Sequence, residues 1–78
     1  MPEQLRNSLR DERARRNLTQ ADLAELVGVS RKTINTVENG VFVPSTVLAL
    51  KLARALGATV EQLFELAEPH HRSGRKGS

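Results

Sequence analysis

Between residues 19 and 59 the chain repeatedly sets a hydroxyl side chain that can cap a helix N-terminus ahead of a glycine that can close the other end. Thr19 precedes Gly28, Ser30 precedes Gly40, Ser45 precedes Gly57, and Thr59 follows. A Ser or Thr oxygen accepts one of the amides that the first turn of a helix leaves unpartnered, and glycine takes the left-handed conformation that ends a helix. That punctuation restricts the chain to short helices. Between the stops, apolar residues recur three and four apart: Leu23, Ala24 and Val27, then Ile34 and Val37, then Leu48, Leu52, Ala55 and Leu56. Each set is one buried face. Thr59 and Gln62 form a capping box for a last helix whose apolar members are Val60, Leu63, Phe64 and Leu66, with Pro69 closing the folded part. At the other end, Leu5 and Leu9 begin a stripe that continues through Arg13 to about Arg16 and stops at Asn17-Leu18. The pattern predicts five short helices and no strand, an all-α fold class.

With 78 residues, the chain has room for one domain, and such a small domain buries only about 60% of its unfolded surface. It has no cysteine, so disulfide staples and thiolate metal sites are excluded. No segment approaches the roughly 18 apolar residues of a membrane span, and the first residues lack the apolar run of a signal peptide. A cytoplasmic protein is expected.

The formal charge of +3 is unevenly spread. Arg6, Arg10, Arg13, Arg15 and Arg16 crowd the start, Glu61, Glu65 and Glu68 make a late segment acidic, and Arg72, Arg75 and Lys76 make the end basic. A basic balance suits an anionic partner. Phe42 and Phe64 are the only aromatic residues, too few to stack single-stranded bases, so the expected nucleic acid is a duplex. The domain is read as residues 1–68, and residues 69–78 as a disordered basic tail. His70 and His71 lie in that tail with no carboxylate cluster or cysteine nearby, so no metal and no cofactor are expected. There is no folded histidine base, no cysteine nucleophile and no glycine-rich phosphate loop, which leaves an enzyme without side chains to work with. No small-molecule pocket is evident.

Residues 20–39 carry the functional signal. Two short helices joined by a turn of three or four residues containing glycine set one helix steeply across the other. Ala24 allows the axes to approach, and Gly28 supplies the turn. On the second helix of the pair, Ile34, Val37 and Glu38 fall on one side at about 100° per residue. Lys32, Thr36 and Asn39 fall opposite, flanked by Arg31, Asn35 and Thr33, and none of these outward residues is acidic. Their chemistry suits base edges: Lys or Arg donates to guanine O6 and N7, Asn pairs with adenine, and a Thr methyl packs on thymine's.

The string LTQADLAELVGVSRKTINTVENG, residues 18–40, resembles the Cro and phage-repressor-like (XRE-like) family of helix-turn-helix regulators. The likeness extends over about residues 5–66, through Pro44-Ser45, the leucine-rich fourth helix and Leu63-Phe64. It implies a compact five-helix lambda-repressor-like fold and a homodimer on a palindromic operator. It also implies that Gln20 and Asn39 contact backbone phosphate and that Arg31, Lys32, Thr33, Asn35 and Thr36 read bases. The expected function is a transcriptional regulator that binds double-stranded DNA sequence-specifically, with the third helix in the major groove.

Arg13 and Glu38 each sit on the inward stripe of a helix, where an unpaired charge costs several kcal/mol. They are expected to pair, as an arginine and a glutamate do in the resembling family. Val41-Phe42-Val43 departs from the polar loop usual in such proteins, which moves phosphate contacts to its amides, to Lys51 or to the tail. Phe42 is expected to plug the small core. Val60, Leu63, Phe64 and Leu66 offer more apolar surface than docking needs and are read as the dimer interface. The alternative is a protein-interaction module, antitoxin-like or targeting, that keeps the fold. The polar third helix argues against it, and the apolar 41–43 loop and fifth helix argue for it.

Overall fold

A computed structural model of the chain describes residues 4–67. Its elements run β1 (Gln4–Asn7), α1 (Leu9–Arg15), α2 (Gln20–Val27), α3 (Arg31–Glu38), α4 (Thr46–Leu56), α5 (Val60–Leu63) and β2 (Phe64–Ala67). The capping residues delimit four of these helices. Thr19 Oγ1 accepts from the Asp22 amide at 2.9 Å while the Asp22 carboxylate accepts from the Thr19 amide at 3.0 Å. Thr59 and Gln62 form the same reciprocal pair. The Ser30 and Ser45 hydroxyls accept from the amides of Thr33 and Leu48, each at 3.1 Å. Gly28 ends α2 at a φ of +76°, and its amide donates to the Ala24 carbonyl at 2.9 Å. The chain can therefore start α3 after only three intervening residues, Gly28, Val29 and Ser30, and the two helices pack as one unit.

Leu23 and Val27 of α2, Ile34 and Val37 of α3, and Leu48, Leu52 and Leu56 of α4 meet in a single core. Leu9 of α1 and Leu63 of α5 close it from either side. Leu9, Leu23, Ile34 and Leu52 have no exposed surface at all. The α2–α3 pair is thus seated on a buried, packed base.

The ends differ from the sequence expectation. Helix α1 begins at Leu9 rather than near Leu5, and α5 is a single turn that stops at Leu63. Residues 4–7 and 64–67 are strands, paired antiparallel with Leu5 opposite Leu66 and Asn7 opposite Phe64. Leu5 and Phe64 lie on one side of this ribbon and pack on the core, while Arg6 and Glu65 pair across the other side at 3.2 Å, exposed to solvent. A helix of one turn has little internal bonding to hold it, and pairing with a segment at the far end of the chain satisfies the backbone instead. Such a partner cannot be read from local periodicity. The fold therefore keeps its five helices and its mainly helical class, with a two-stranded ribbon tying the first and last described segments.

Asn7, at the end of β1, joins three elements. Its Oδ1 accepts from the Leu9 amide at 3.1 Å, capping α1, and its Nδ2 donates to the Val37 carbonyl at 3.0 Å at the end of α3. Ser8 makes no cap with its own side chain, and its amide instead donates to the Leu63 carbonyl at 2.8 Å. Phe42 does not plug the core. It is 47% exposed and lines a surface groove with Leu5, Val43, Pro44 and Phe64. The proposed tail, with His70, His71, Arg72, Arg75 and Lys76, lies outside the described residues, as does the boundary at 68/69. No described helix is long and apolar enough to cross a membrane.

Candidate nucleic-acid interface

Helix α3 turns Ile34 and Val37 fully into the core and leaves Arg31, Lys32, Asn35 and Asn39 exposed. Thr33 and Thr36 are half-buried and partly occupied: the Thr33 hydroxyl lies 2.9 Å from that of Ser30, and the Thr36 hydroxyl donates to the Thr33 carbonyl at 2.9 Å. Gln20, at the start of α2, lines one shallow depression together with Arg31, Lys32 and Asn35. The two helix N-termini thus open onto the same surface.

Each N-terminus also offers main-chain donors. In α2 the amides of Asp22 and Leu23 are taken by Thr19, and in α3 those of Thr33 and Ile34 are taken by Ser30. The amides ahead of them, Gln20 and Ala21 in one helix and Arg31 and Lys32 in the other, have no intrahelical acceptor. Four N–H groups, two cationic side chains and the positive ends of two helix dipoles form a surface suited to phosphate.

The one acidic residue of α3 is neutralised. Arg13 Nε donates to Glu38 Oε2 at 2.7 Å and Arg13 NH2 donates to Oε1 at 3.3 Å, while the Glu38 side chain has no exposed surface. Arg13 NH1 also donates to the Leu18 carbonyl at 2.8 Å, so one guanidinium holds the end of α3 and the approach to α2 together. Arg10 adds a longer contact to Glu38 Oε1 at 3.7 Å. Burial pushes the Glu38 pKa up, but the hydrogen bonds from Arg13 and Gln20 and the charges of Arg13 and Arg10 outweigh it and hold the carboxyl below its ordinary value. Glu38 is an anion withdrawn from the exposed face of α3.

Gln20 and Asn39 are both engaged within the protein. Gln20 Nε2 donates to Asn35 Oδ1 at 3.2 Å and to Glu38 Oε1 at 3.1 Å. Both side-chain hydrogens are engaged within the protein, while its main-chain amide, at the start of α2, has no intrahelical acceptor. Asn39 Nδ2 donates to Asn35 Oδ1 at 3.3 Å, and Arg10 NH2 donates to Asn39 Oδ1 at 3.2 Å. Arg10, exposed at the edge of this network, is a further cation beside the site residues expected from sequence, and its place one turn before Arg13 on α1 is the signal for it. The amides of Val41 and Phe42 both donate to the Thr36 carbonyl, at 2.9 and 3.2 Å, so these two cannot grip phosphate. Lys51 on α4 is exposed.

The expected dimer residues separate. Leu63 and Phe64 are core, at 1% and 9% exposure, and Val60 is half-buried against it. They do not form a free apolar face on the fifth helix, because that helix ends at Leu63. Leu66, on β2, remains half-exposed, as do Val43, Val47 and Leu50 around α4.

A profile of the helix-turn-helix family matches residues 9–63. The chain belongs to that family, the XRE-type helix-turn-helix transcriptional regulators. It is 47% identical over 60 residues to an uncharacterized HTH-type transcriptional regulator of Methanocaldococcus jannaschii, covering 77% of this chain and 91% of the relative. Among solved structures it is similar to the restriction-modification controller protein C.AhdI of Aeromonas hydrophila, with a TM-score of 0.66 and 39% identity over 69% of this chain and 82% of that one. It is also similar to the clp gene regulator ClgR of Corynebacterium glutamicum, with a TM-score of 0.64 and 36% identity. There the match covers 67% of this chain and spans only 55% of the longer regulator. Membership places the chain among transcriptional regulators rather than enzymes, and α2 and α3 both lie within the matched span.

Proposed function

We propose that this XRE-type protein binds double-stranded DNA sequence-specifically, with the N-terminal half of α3 in the major groove and the N-termini of α2 and α3 fixing register on phosphates. The observation that carries this reading is the outward face of α3. Arg31, Lys32 and Asn35 stand exposed there, and the helix's one carboxylate is buried in an ion pair. Arg31 and Lys32 supply donors for guanine edges, Asn35 an amide, and Thr33 and Thr36 methyl groups for thymine. Asn39 and Arg10 stand at the far edge of the same face, toward the backbone.

The working unit is a homodimer on a palindromic operator. One module covers a half-site, and a two-fold repeat spaced by one helical turn doubles the contacts. Val47 and Leu50, one turn apart on α4 and both exposed, support self-association, since an apolar helix face left open on a small protein usually has a partner.

Recovery of bound duplexes from a random library, followed by titration of the wild type and Lys32→Ala, tests the assignment. Lys32→Ala should weaken binding to the recovered operator by about 1–3 kcal/mol and relax the preference at one base pair of each half-site. An unchanged preference would remove Lys32 from direct readout, and a library that does not enrich would remove the function.

A further inference from the structure

The hydrogen bonds around Asn35 have a direction. Its Oδ1 accepts from Gln20 Nε2 at 3.2 Å and from Asn39 Nδ2 at 3.3 Å, and a carbonyl oxygen has two lone pairs to give. The orientation of each neighbouring amide is set by a group of fixed polarity. Gln20 also meets Glu38 Oε1, at 3.1 Å, and a carboxylate held by an arginine can only accept, so the NH2 end of Gln20 must face this way. Asn39 presents its oxygen to Arg10 NH2, at 3.2 Å, and a guanidinium can only donate, so the NH2 end of Asn39 is turned to Asn35. Both amides therefore donate to Asn35, which leaves its own Nδ2 directed outward on the exposed face of α3.

We propose that Asn35 acts as a donor-only reader, selecting guanine over adenine at the base pair it faces. This rests on the reading of α3 as the groove-facing helix. An asparagine that selects adenine uses both ends of its amide, accepting from N6 and donating to N7. Here the accepting end is already filled from behind. Guanine presents O6 and N7, two acceptors and no donor, which suits a pair of N–H groups. Cytosine presents only the donor N4, which Nδ2 cannot satisfy. Gln20, Asn39, Arg10 and Glu38 are thus positioning residues for base choice, although none of them need touch the base.

The probes are duplexes recovered from a random library with the full chain and resynthesised with each of the four base pairs at every position of a half-site. Wild type should bind guanine about tenfold more tightly than adenine at one position, and Asn35→Ala should bring that ratio near unity while leaving the others intact. Gln20→Ala combined with Asn39→Ala frees Oδ1. Its affinity should fall on all sequences, but at the Asn35 position adenine should rise to equal or exceed guanine, an exchange that mere loss of packing would not produce. Circular dichroism of each variant establishes that it is folded. A wild-type preference for adenine at the position that Asn35→Ala flattens overturns the inference. So does an Asn35→Ala variant with every base ratio unchanged while specific binding persists, an outcome that leaves the DNA-binding reading standing. Wild type without preference at any position overturns both.

Discussion

Replacing Arg13 by alanine removes three hydrogen bonds at once. Two of them go to Glu38, at 2.7 and 3.3 Å, and one goes to the Leu18 carbonyl, at 2.8 Å. The Glu38 side chain, with no exposed surface, then keeps only Gln20 at 3.1 Å and Arg10 at 3.7 Å. Breaking a buried pair by removing one partner costs about 3–5 kcal/mol, most of it the burden of the orphaned charge. Because Arg13 is 15% exposed and water can reach the vacated space, the low end, about 3 kcal/mol, is the better figure. A domain of this size has roughly 3–10 kcal/mol in total, so the substitution should remove a large share of it and lower Tm by about 12–24 °C. Urea and thermal unfolding followed by circular dichroism measure both.

The coupling can be separated from simple loss of packing. In the Arg13→Ala background, Glu38→Gln should recover part of the stability, because it discharges the orphan. The pH dependence gives a second check. Glu38 has a lowered pKa in the folded state, as do Asp22, held by the Thr19 amide and hydroxyl, and Glu12, held by Arg16. A depressed carboxyl stabilises the fold above its unfolded pKa, and that contribution is lost as pH falls through the folded value. Wild type should therefore lose stability below about pH 4.5, and the gap between it and Arg13→Ala should narrow there. A loss under about 1 kcal/mol, or a Glu38→Gln substitution that adds its full separate cost to the Arg13→Ala variant, would refute the pair as the tie between α1 and α3.

Asn7→Ala should cost about 1–2 kcal/mol by uncapping α1 and freeing the Val37 carbonyl, with faster amide exchange at the end of α3. Unchanged exchange there would deny Asn7 its bridging role. Gly28→Ala should cost about 1–2 kcal/mol through backbone conformation alone, since an added methyl meets no atom within 4 Å while φ is +76°; a neutral result in chemical denaturation would contradict the argument. Leu50, 56% exposed on α4, can be changed to glutamate with little effect on folding. Leu50→Glu should shift the sedimenting species from dimer to monomer, and a wild type that is monomeric at high micromolar concentration would contradict the proposed homodimer.

What the sequence made legible was local. Thr19, Ser30, Ser45 and Thr59 cap helices where their spacing to the next apolar run places them, because a cap needs only the first turn after it. Ile34, Val37 and the outward Lys32 and Asn35 follow from one helical period. The ribbon was hidden for the opposite reason. Leu5 and Leu9 fit a helical spacing as well as a strand followed by a helix start, and the choice is made by Phe64 to Ala67, some 60 residues on. Phe64 and Leu66 fit the helical period of Val60 and Leu63 equally well, so the same distant pairing removes the expected free face at Leu63. The direction of the Asn35 amide was also out of reach, since it depends on Arg10, Gln20, Glu38 and Asn39 arriving from three helices and a cap. Function was legible from the spacing of two helices, but the sense of a hydrogen bond needed their packing.

Titration of the full chain against its library-recovered duplex and a scrambled duplex of equal length, over a series of salt concentrations, tests the central claim most directly. Log affinity should fall linearly with log salt on both, with a slope of about −0.9 per phosphate neutralised, and the recovered duplex should bind more tightly at every salt. Equal affinity for the two duplexes, or no binding even at low salt, would contradict it.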